Sequence, residues 1–557
     1  MFSKKFLTGA ALTALSLAAS SGAAYAQSTA SQIQEDEIVV TAARRSIDGA
    51  ISAEQAAKAR STITQDFIDQ QLAGQSILST INLIPGVSFT NNDPYGSSGG
   101  NIRMRGFDGA RISLTFDGVP LNDTGNYAIF SNQMLDPELI SRANVSMGTT
   151  DVDSPTASAT GGTINYVTRM PSEDFGVSVQ PSYGSDNYYR LLTVVDTGTF
   201  GPADTSAFGA VSYQHYDQFI GSGDLEKLQL NARVYQPLQG DDFMSLAVHW
   251  NRNRNYFYRQ GSLAEWAFYD DVTNLDVCTR DAPNGVAGVD GLVDNIQNDG
   301  ANNAGAGAFL SANDNPANPA SCTNYAGLRI NPSNTGNIRG QSRFALGENL
   351  TFTFDPTAQY VLANGGGTTV VSETDARLMA GTGLGVDLNG DSDTLDSVRL
   401  YSPSNTNTIR YAVLSSLIWE LSDAHRFVFG YTYDTGRHRQ TGEYSLLDPS
   451  GDPGDVFGAK DEEGGAPILN RVGGVFQKRD RLSVATLSQF SARYIGDFMN
   501  DALTIDIGVR APEFERDLDQ RCFAATAGTG DPTCNTGFVA APPPAGVAPF
   551  RASVSYE

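Results

Sequence analysis

The sequence predicts an N-terminal α+β domain followed by the antiparallel strands of a transmembrane β-barrel. From about residue 175 onward, runs of roughly ten residues alternate apolar with polar side chains, as expected for strands with a lipid face and a lumen face. Short connections such as Gln239–Asp242 alternate with long ones such as Arg259–Thr408, which is typical of the two ends of such a barrel. Residues 45–170 instead combine short helices, short strands and Gly turns, which predicts one separate compact domain.

The composition excludes two classes of function. The chain has 62 acidic and 37 basic residues in 557, a formal charge of −25, whereas binding to nucleic acid needs a cationic face. Only four His are present and no nucleophile–base constellation is visible, so we expect a protein that is not an enzyme. The 22 Tyr and 28 Phe are suited to the aromatic girdles of a membrane barrel.

Residues 1–26 are predicted to be a secretory signal peptide. Lys4 and Lys5 form its basic start, Phe6–Ala19 its apolar core, and Ala26 the last residue before cleavage. The apolar core is about 14 residues, which is short for a transmembrane helix, and no later run reaches about 18. We therefore expect an exported protein that enters a membrane by strands.

A polar arm, residues 27–44, follows the predicted cleavage site. Its centre, Glu37–Ala42, has the sequence EIVVTA and is rich in β-branched residues. Such a run is consistent with a short buried strand. On an exposed terminus it can equally pair, as an extended peptide, with the sheet edge of another protein.

Helix signals open the predicted α+β domain, residues 45–170. Thr64 can cap a helix that begins at Gln65. A second helix is expected at about Gln75–Leu83, ending before Pro85 and Gly86, since Pro lacks the donor and Gly turns the chain.

Short strands and Asp-Gly turns fill Asn101–Asn122. Gly accepts positive φ without steric cost, so these turns predict hairpins. Arg103, Arg105 and Arg111 lie among these strands, and we predict a polar enclosure in which carboxylates pair with them.

Residues 171–557 are predicted to supply about nine barrel strands and three long extracellular loops. The strands are expected near 175–183, 188–199, 206–217, 226–236, 243–258, 408–420, 425–437, 481–495 and 502–515. The loops are expected at 259–407, 438–480 and 517–557.

Four cysteines lie in the predicted loops as two local pairs, Cys278 with Cys322 and Cys522 with Cys534. In an exported protein, disulfides across long loops are the leading interpretation. A zinc site is the alternative, although no CxxC or His cluster accompanies the thiols.

One acidic stretch resembles a calcium loop, with oxygen ligands at Asp387, Asn389, Asp391, Asp393 and Asp396. The EF-hand spacing fails, because Gly occupies the fourth place instead of the sixth and Val stands where the bidentate Glu belongs. Calcium binding and an ordinary acidic surface loop both remain open, and no cofactor is required.

The order of these features resembles the TonB-dependent outer-membrane receptors. The signal peptide, a TonB-box-like Glu37–Ala42, an α+β domain and barrel strands cover essentially the whole mature chain. The motifs that carry the resemblance are Glu37–Ala42, Ile84–Val87, Ile102–Gly106, Phe116–Pro120 and Gly161–Asn165. The resemblance implies a plug domain inside a barrel of about 22 strands, so we expect a chain that lacks roughly thirteen C-terminal strands.

The resemblance also implies a mechanism and partners. Glu37, Ile38, Val39, Val40 and Thr41 would pair as a strand with the TonB energy transducer in the periplasm. The protein would be a monomer in the outer membrane of a Gram-negative bacterium, in contact with lipid and lipopolysaccharide. Its ligand would be an extracellular small molecule that is imported actively.

A ferric siderophore or other iron chelate is the cargo that the resemblance favours. A carbohydrate or other large nutrient is the alternative, for which Asn-rich loops such as Asn295–Asn318 would serve. A passive porin or adhesin would need neither the arm nor a plug. Candidate ligand contacts are Tyr95, Asp108, Asn126 and Tyr127 in the plug and Arg437 and Arg439 on a loop, but solvated turn residues and a loop ion pair are equally consistent with the sequence.

Overall fold

The computed structural model describes most of the chain between residues 59 and 520. The described residues are 59–257 and 330–520, together with Thr29, 51–52, 534–535 and 551–556. Within the two long ranges, 149, 157–158, 220–222, 389–393, 395–396, 501 and parts of 447–466 are not described.

A large antiparallel sheet forms the wall of a partial barrel. Its strands are β10 (Phe175–Tyr183), β11 (Tyr189–Phe200), β12 (Thr205–Asp217), β13 (Asp224–Pro237), β14 (Phe243–Asn255), β15 (Ser333–Gly347), β16 (Leu350–Asn364), β19 (Asn405–Ser422), β20 (His425–Glu443), β22 (Phe476–Phe498), β23 (Leu503–Gln520) and β25 (Arg551–Tyr556). They are hydrogen-bonded in this order, and the short β24 (Cys534–Asn535) pairs with β22. The predicted fold class is confirmed, and each of the nine predicted strand positions is a strand.

The alternation of side chains along each strand explains why the wall has two unlike faces. On β13, Gln229, Asn231 and Arg233 are buried toward the inside, whereas Leu230 and Val234 are exposed on the outside. Apolar side chains therefore face outward and polar side chains face the lumen, as in barrels that lie in lipid.

The connections define two ends of the wall. At one end, which we call the short-turn end, successive strands are joined by 201–204, 238–242, 348–349, 423–424 and 499–502. At the other, the long-loop end, they are joined by 184–188, 218–223, 256–332, 365–404, 444–475 and 521–550. This division matches the two ends that the sequence predicts.

The predicted loop 259–407 is wrong, because β15 and β16 lie within it and complete the wall between β14 and β19. A proline inside an apolar run argues against a strand, and Pro356 hides β16 in this way. Gly340 lies opposite, where an added Cβ would come within 2.9 Å of the Pro356 ring. Two extra strands leave the direction of all later strands unchanged. The loops before β15 and after β16 therefore still lie at the long-loop end.

The other two predicted loops also begin or end in strands. The loop 438–480 is shorter than predicted, since β20 continues to Glu443 and β22 starts at Phe476. The predicted loop 517–557 contains the end of β23 together with β24 and β25.

A small unit lies at the long-loop end, above the wall. Strands β17 (Gly367–Ser372), β18 (Ser397–Ser402) and β21 (Ser445–Leu446) form a three-stranded sheet, next to the short helix α3 (Ala376–Met379). Its apolar cluster includes Leu378, Leu400, Tyr444 and Phe476.

Two small sheets and short helices make up the α+β domain. One sheet has the order β1 (Ile51–Ser52), β2 (Arg60–Thr64), β8 (Ile140–Met147), β9 (Gly162–Thr168), β6 (Ile112–Phe116) and β7 (Val119–Pro120). The other contains β3 (Val87–Asn91), β4 (Gly100–Met104) and β5 (Phe107–Asp108). The helices are α1 (Gln65–Ile68) and α2 (Ile77–Thr80), with single 3-10 turns at Gly109–Arg111, Ser131–Gln133 and Pro137–Leu139.

Local chemistry fixes the second helix. The Ser76 hydroxyl accepts a hydrogen bond from Leu78 N at 3.3 Å and so caps the N-terminus of α2. The helix ends earlier than the predicted Leu83, and Gly86 makes the following turn with φ +89°. The buried Tyr166 hydroxyl donates to Ile77 O at 2.7 Å and ties α2 to β9.

The apolar core of the α+β domain is continuous with the barrel wall. Leu114, Ile164 and Met104 are fully buried in it, and Leu192 and Phe208 from the wall belong to the same cluster. The domain thus lies against the inner face of the wall. In the described part of the chain, no helix is long and apolar enough to cross a membrane.

The three arginines of Asn101–Asn122 do not form the predicted enclosure. Arg111 pairs with Asp108 at 3.2 Å, but both side chains are about half exposed. Arg103 and Arg105 are also exposed. The buried carboxylate of this stretch is Asp117, and its arginine partners come from the barrel wall.

Candidate functional site

The interface between the α+β domain and the barrel wall contains a buried charge cluster around Asp117. This residue lies in the turn between β6 and β7 with φ +48°, where the following Gly118 also has positive φ. Its carboxylate accepts hydrogen bonds from Thr168 N at 2.9 Å and Thr168 Oγ at 2.7 Å. Arg233 Nη2 and Arg339 Nε approach it at 3.2 and 3.1 Å.

Two opposing effects act on the Asp117 carboxylate. Burial favours the neutral form, but Arg233, Arg339 and the Thr168 hydrogen bonds outweigh burial, so the pKa is lowered below the ordinary 3.8. Asp117 is therefore ionised at neutral pH and holds two strands of the wall against the domain.

A second charge cluster joins the domain to β11. Arg190 binds Glu138 at 2.8 Å and 3.0 Å through two nitrogens, and its Nη2 lies 3.4 Å from Asp136. The side chain of Arg190 is fully buried. Ser212 on β12 donates to Asp136 as well.

Further contacts run from wall side chains to backbone carbonyls of the domain. Arg410 Nη1 donates to Pro120 O at 2.9 Å and Asn122 O at 3.0 Å, while its other nitrogens bind Asp434. Arg516 donates to Thr124 O at 2.6 Å and Gly125 O at 2.7 Å. The same kind of contact joins Asn255 to Ser97 O, Asn253 to Asn132 O and Gln489 to Ser154 O. Directional polar contacts therefore hold the domain inside the wall, in addition to the apolar core that the two share.

Tyr95, a predicted ligand contact, is buried between the domain and the wall. Its ring stacks on Tyr188 with centroids 4.0 Å apart and meets the edge of Tyr216 at 4.9 Å. Its hydroxyl donates to Ser185 O at 3.0 Å. With 6% exposure, the Tyr95 side chain is a packing contact between the domain and the wall, and a ligand contact there stays a prediction.

Asp93 organises the loop that carries Tyr95, and sequence reasoning missed it. Its carboxylate accepts from Tyr95 N, Gly96 N and Ser98 N at 2.6–2.8 Å, and from the Tyr216 hydroxyl at 2.6 Å. Burial raises the pKa of Asp93 in spite of these hydrogen bonds. The sequence offers one signal for this role. An Asp stands two residues before a Tyr in a loop rich in Gly and Ser, and Asp side chains in turns commonly bind the backbone two residues further on.

The loop Asn122–Asn132 lies near the long-loop end. The Asp123 carboxylate accepts from Gly125 N at 2.6 Å and Asn126 N at 3.1 Å, which closes a tight turn. Asn126 is exposed and stays a candidate ligand contact. Tyr127, also predicted, has φ +59° and packs under Arg516, whose guanidinium carbon lies 5.3 Å from its ring centroid.

The remaining predicted contacts do not converge with this loop. Asp108 is exposed and pairs with Arg111. On β20, the buried His438 faces the domain, with its ring Nδ1 2.7 Å from Thr408 Oγ and 3.7 Å from Asp123 Oδ2. Arg437 and Arg439 therefore lie on the opposite face, and Arg439 pairs with Asp480 at 3.3 Å.

A cavity of about 880 Å³ lies between the domain and the short-turn end of the wall. Its lining includes Gln71 after α1, Arg142 on β8, Tyr235 on β13 and Thr29 from the N-terminal arm. Thr29 N and Oγ donate to the buried carboxylate of Asp355 at 2.7 and 2.5 Å. Thr29 is thus held inside the barrel.

Several predicted residues lie outside the described residues: Glu37–Thr41, Cys278, Cys322, Cys522, Asn389, Asp391, Asp393, Asp396 and Asn295–Asn318. Cys534 lies in β24, but its side chain is not described. Asp387 is exposed. Within the described residues, no group of three or more His, Cys, Asp or Glu side chains could hold a metal ion.

Comparisons with known proteins agree with this architecture. Residues 52–163 match the family model of the TonB-dependent Receptor Plug Domain. That family is one of receptors and not of enzymes.

Solved structures of low sequence identity share the fold. The ferric-catecholate import receptor Fiu of Escherichia coli K12 in its closed form is 16% identical, with a TM-score of 0.55 over 90% of this chain and 62% of that one. The siderophore receptor PiuA of Acinetobacter baumannii is 14% identical, with a TM-score of 0.52 over 90% and 61%. The pyoverdine receptor FpvA of Pseudomonas aeruginosa PAO1 is 12% identical, with a TM-score of 0.54 over 86% and 58%. The chain therefore spans about three fifths of the length of these receptors.

Proposed function

We propose that this chain, a TonB-dependent receptor plug domain joined to a partial barrel of the fold of those receptors, imports a scarce solute actively across the outer membrane. The leading cargo is an iron chelate such as a ferric siderophore. Extracellular ligand would bind at the long-loop end, and the energy transducer TonB would pull the N-terminal arm from the periplasm through Glu37–Thr41.

The observation that carries the proposal is the polar attachment of the plug to the inner face of the wall. Arg190, Arg233, Arg339, Arg410 and Arg516 come from five different wall strands, and each binds a carboxylate or carbonyl of the plug. A lumen filled in this way does not suit passive diffusion. Opening it requires these bonds to break, which is work that a periplasmic partner would supply.

The outer face of the wall supports a location in lipid. Leu230, Val234, Leu246 and Val248 of neighbouring strands are all exposed on that face. An apolar band of this kind is what outer-membrane barrels present to the bilayer, so lipid and lipopolysaccharide are the expected surroundings. We further propose that the protein acts as a monomer after removal of residues 1–26.

The iron cargo draws its support from the compared receptors, whose names refer to ferric catecholates, a siderophore and pyoverdine. The carbohydrate alternative rests on residues 295–318, which lie outside the described residues. Protein abundance in outer membranes from iron-starved and iron-replete cells separates the two. A rise on starvation supports an iron chelate, and an unchanged level favours another nutrient.

Deletion of residues 37–41 tests the mechanism directly. We expect uptake to be lost while the protein still reaches the outer membrane and binds its cargo there, because only the contact with the transducer is removed. As a matched control, deletion of five residues within 27–36 shortens the arm by the same length but keeps residues 37–41. Uptake that survives the 37–41 deletion would overturn the active mechanism.

A further inference from the structure

A buried carboxylate of the barrel wall, that of Asp355 on β16, is bound by a residue of the N-terminal arm. Thr29 N donates to Asp355 Oδ2 at 2.7 Å, and Thr29 Oγ donates to Oδ1 at 2.5 Å. Both donors of Thr29 are therefore used by one carboxylate. Both side chains are almost completely buried, so the contact lies inside the barrel and joins the arm to the wall and not to the plug.

The pairing of β15 with β16 explains why the wall offers this site. The pairing is interrupted over residues 340–342 of β15 and 354–356 of β16. Pro356 lies in this gap and has no N–H to donate to a neighbouring strand. Ser342 N lies in the gap too and donates to Asp355 Oδ1 at 3.4 Å. The interruption thus leaves a carboxylate on the lumen face that can accept further donors.

Asp355 differs from Asp117 and Asp136, the carboxylates of the two charge clusters, because it has no basic partner. Each of those two pairs with at least one arginine. In the described part of the chain, the hydrogen bonds to Asp355 come from Thr29 and Ser342, and no ion pair joins it to a basic side chain. Without Thr29, a buried carboxylate would keep one long hydrogen bond, which is unfavourable. The wall therefore favours the state in which the arm is bound.

The place of Thr29 in the sequence gives this contact a mechanical consequence. Glu37 follows Thr29 by eight positions, and Ile51, where the first plug strand pairs with β2, follows Thr41 by ten. At about 3.3–3.6 Å per extended residue, the two connections have similar reach. A pull on residues 37–41 therefore loads the wall through Thr29 as well as the plug through Ile51.

We propose that Asp355 anchors the N-terminal arm to the wall through Thr29, and that this anchor must open before the full pull of the transducer reaches the plug. Since β16 is paired with a strand on each side, force that passes into Asp355 is carried by the wall and does no work on the plug. The anchor thus sets a threshold for pulling. The inference rests on the proposed import function for the part of the transducer, whereas the contact itself does not depend on it.

Hydrogen exchange at the Thr29 amide tests the anchor in detergent-purified protein without cargo or transducer. We expect slow exchange in wild type, because this N–H is buried and bonded to Asp355. Asp355→Leu removes both acceptor oxygens at similar volume. It should speed exchange of the amide about tenfold or more, the scale of a lost hydrogen bond to a charged group. Thr29→Val removes only the hydroxyl donor and should speed exchange at position 29 by less.

Two comparisons keep the test specific. Thr353→Val changes another buried residue on the same face of β16, whose hydroxyl has no hydrogen-bond partner within the described residues, and should leave exchange at Thr29 as in wild type. The double variant Asp355→Leu, Thr29→Val should exchange no faster than Asp355→Leu alone, because both substitutions remove the same contact. Unchanged heat-modifiability of each variant on gels verifies that the barrel is intact.

The mechanical role is tested by pulling on the purified protein through a bound periplasmic domain of TonB. Wild type should show a first rupture before the plug extends, since the arm must leave Asp355. Asp355→Leu should lack that rupture, and its plug should begin to extend at lower force. Thr353→Val should behave as wild type does.

The opposite results would overturn the proposal. Fast exchange at Thr29 in wild type, or exchange that Asp355→Leu leaves unchanged, would contradict the anchor. Identical force traces for wild type and Asp355→Leu would contradict the threshold. A TonB domain that does not bind residues 37–41 would count against the proposed import function instead, and exchange at Thr29 would still decide whether the anchor exists.

Discussion

Arg233 Nη2 on β13 lies 3.2 Å from Asp117 Oδ2 in the plug, and both side chains are almost completely buried. Arg339 on β15 meets the same carboxylate oxygen at 3.1 Å. One plug residue thus joins two wall strands. When one partner of a buried ion pair is removed, an uncompensated charge remains, which typically costs about 3–5 kcal/mol.

Asp117→Asn is therefore expected to destabilise the attachment of the plug by about 3 kcal/mol or more, because two arginines lose their counter-ion. Denaturant unfolding of the purified protein, followed by proteolysis within the plug, measures the loss. Asp241→Asn is the matched control, since Asp241 pairs with Arg343 at 3.2 Å but is 84% exposed. Its effect should stay within about 0.5 kcal/mol. Equal effects of the two substitutions would contradict a special role for the buried pair.

The contribution of Asp117 should depend on pH in one direction. Its pKa in the folded protein lies below the ordinary 3.8, because the two arginines and the Thr168 hydrogen bonds together outweigh the effect of burial. A carboxylate of this kind stabilises the folded state above its unfolded pKa, and the stabilisation disappears as pH falls through the folded pKa. The stability difference between wild type and Asp117→Asn should be full above about pH 4 and shrink below it. Unfolding free energies between about pH 2 and pH 7 measure it, and a difference that grows toward acid would refute the sign.

Tyr95 offers a test of packing against ligand binding. Tyr95→Ala removes the ring contacts with Tyr188 and Tyr216 and should destabilise the plug by about 3 kcal/mol. Tyr95→Phe keeps the rings in contact and loses the hydroxyl hydrogen bond to Ser185, at a cost of about 1 kcal/mol. Thermal unfolding of both variants separates the two contributions. If Tyr95→Phe abolished cargo binding at unchanged stability, the residue would be a ligand contact after all.

Much of the architecture could be predicted because side-chain alternation reports directly on a wall with two unlike faces. The same rule assigns Arg437 and Arg439 to the outer face of the wall. Phe427, Phe429, Tyr431 and Tyr433 are the apolar face of β20, and the two arginines share their odd parity. Neighbouring residues of a strand face opposite sides of the sheet. The even-numbered His438 is therefore the residue of this stretch that faces the lumen.

Other features were not readable from the sequence for physical reasons. Pro356 interrupts the pattern of β16, and only the partner strand shows that Gly340 leaves room for its ring. The burial of Tyr95 depends on Tyr188 and Tyr216, which lie 93 and more residues away along the chain in a different unit of the fold. Contacts between two units that pack together are set by tertiary structure, and local patterns do not report them.

Gly162 tests why the plug motif Gly161–Asn165 needs its second glycine. It begins β9 between β6 and β8 with φ +128°, a conformation that L side chains rarely adopt. An added Cβ would also meet Ser146 O, and Met104 Sδ at 2.7 Å. Gly162→Ala should therefore destabilise the plug by about 2 kcal/mol or more, through both backbone strain and a clash within the core. Gly176→Ala on β10 is the control, because an added Cβ there meets nothing within 4 Å, and its effect should be below about 0.5 kcal/mol. Denaturant midpoints compare the two, and a Gly162→Ala protein as stable as Gly176→Ala would mean that the glycine is not required by the fold.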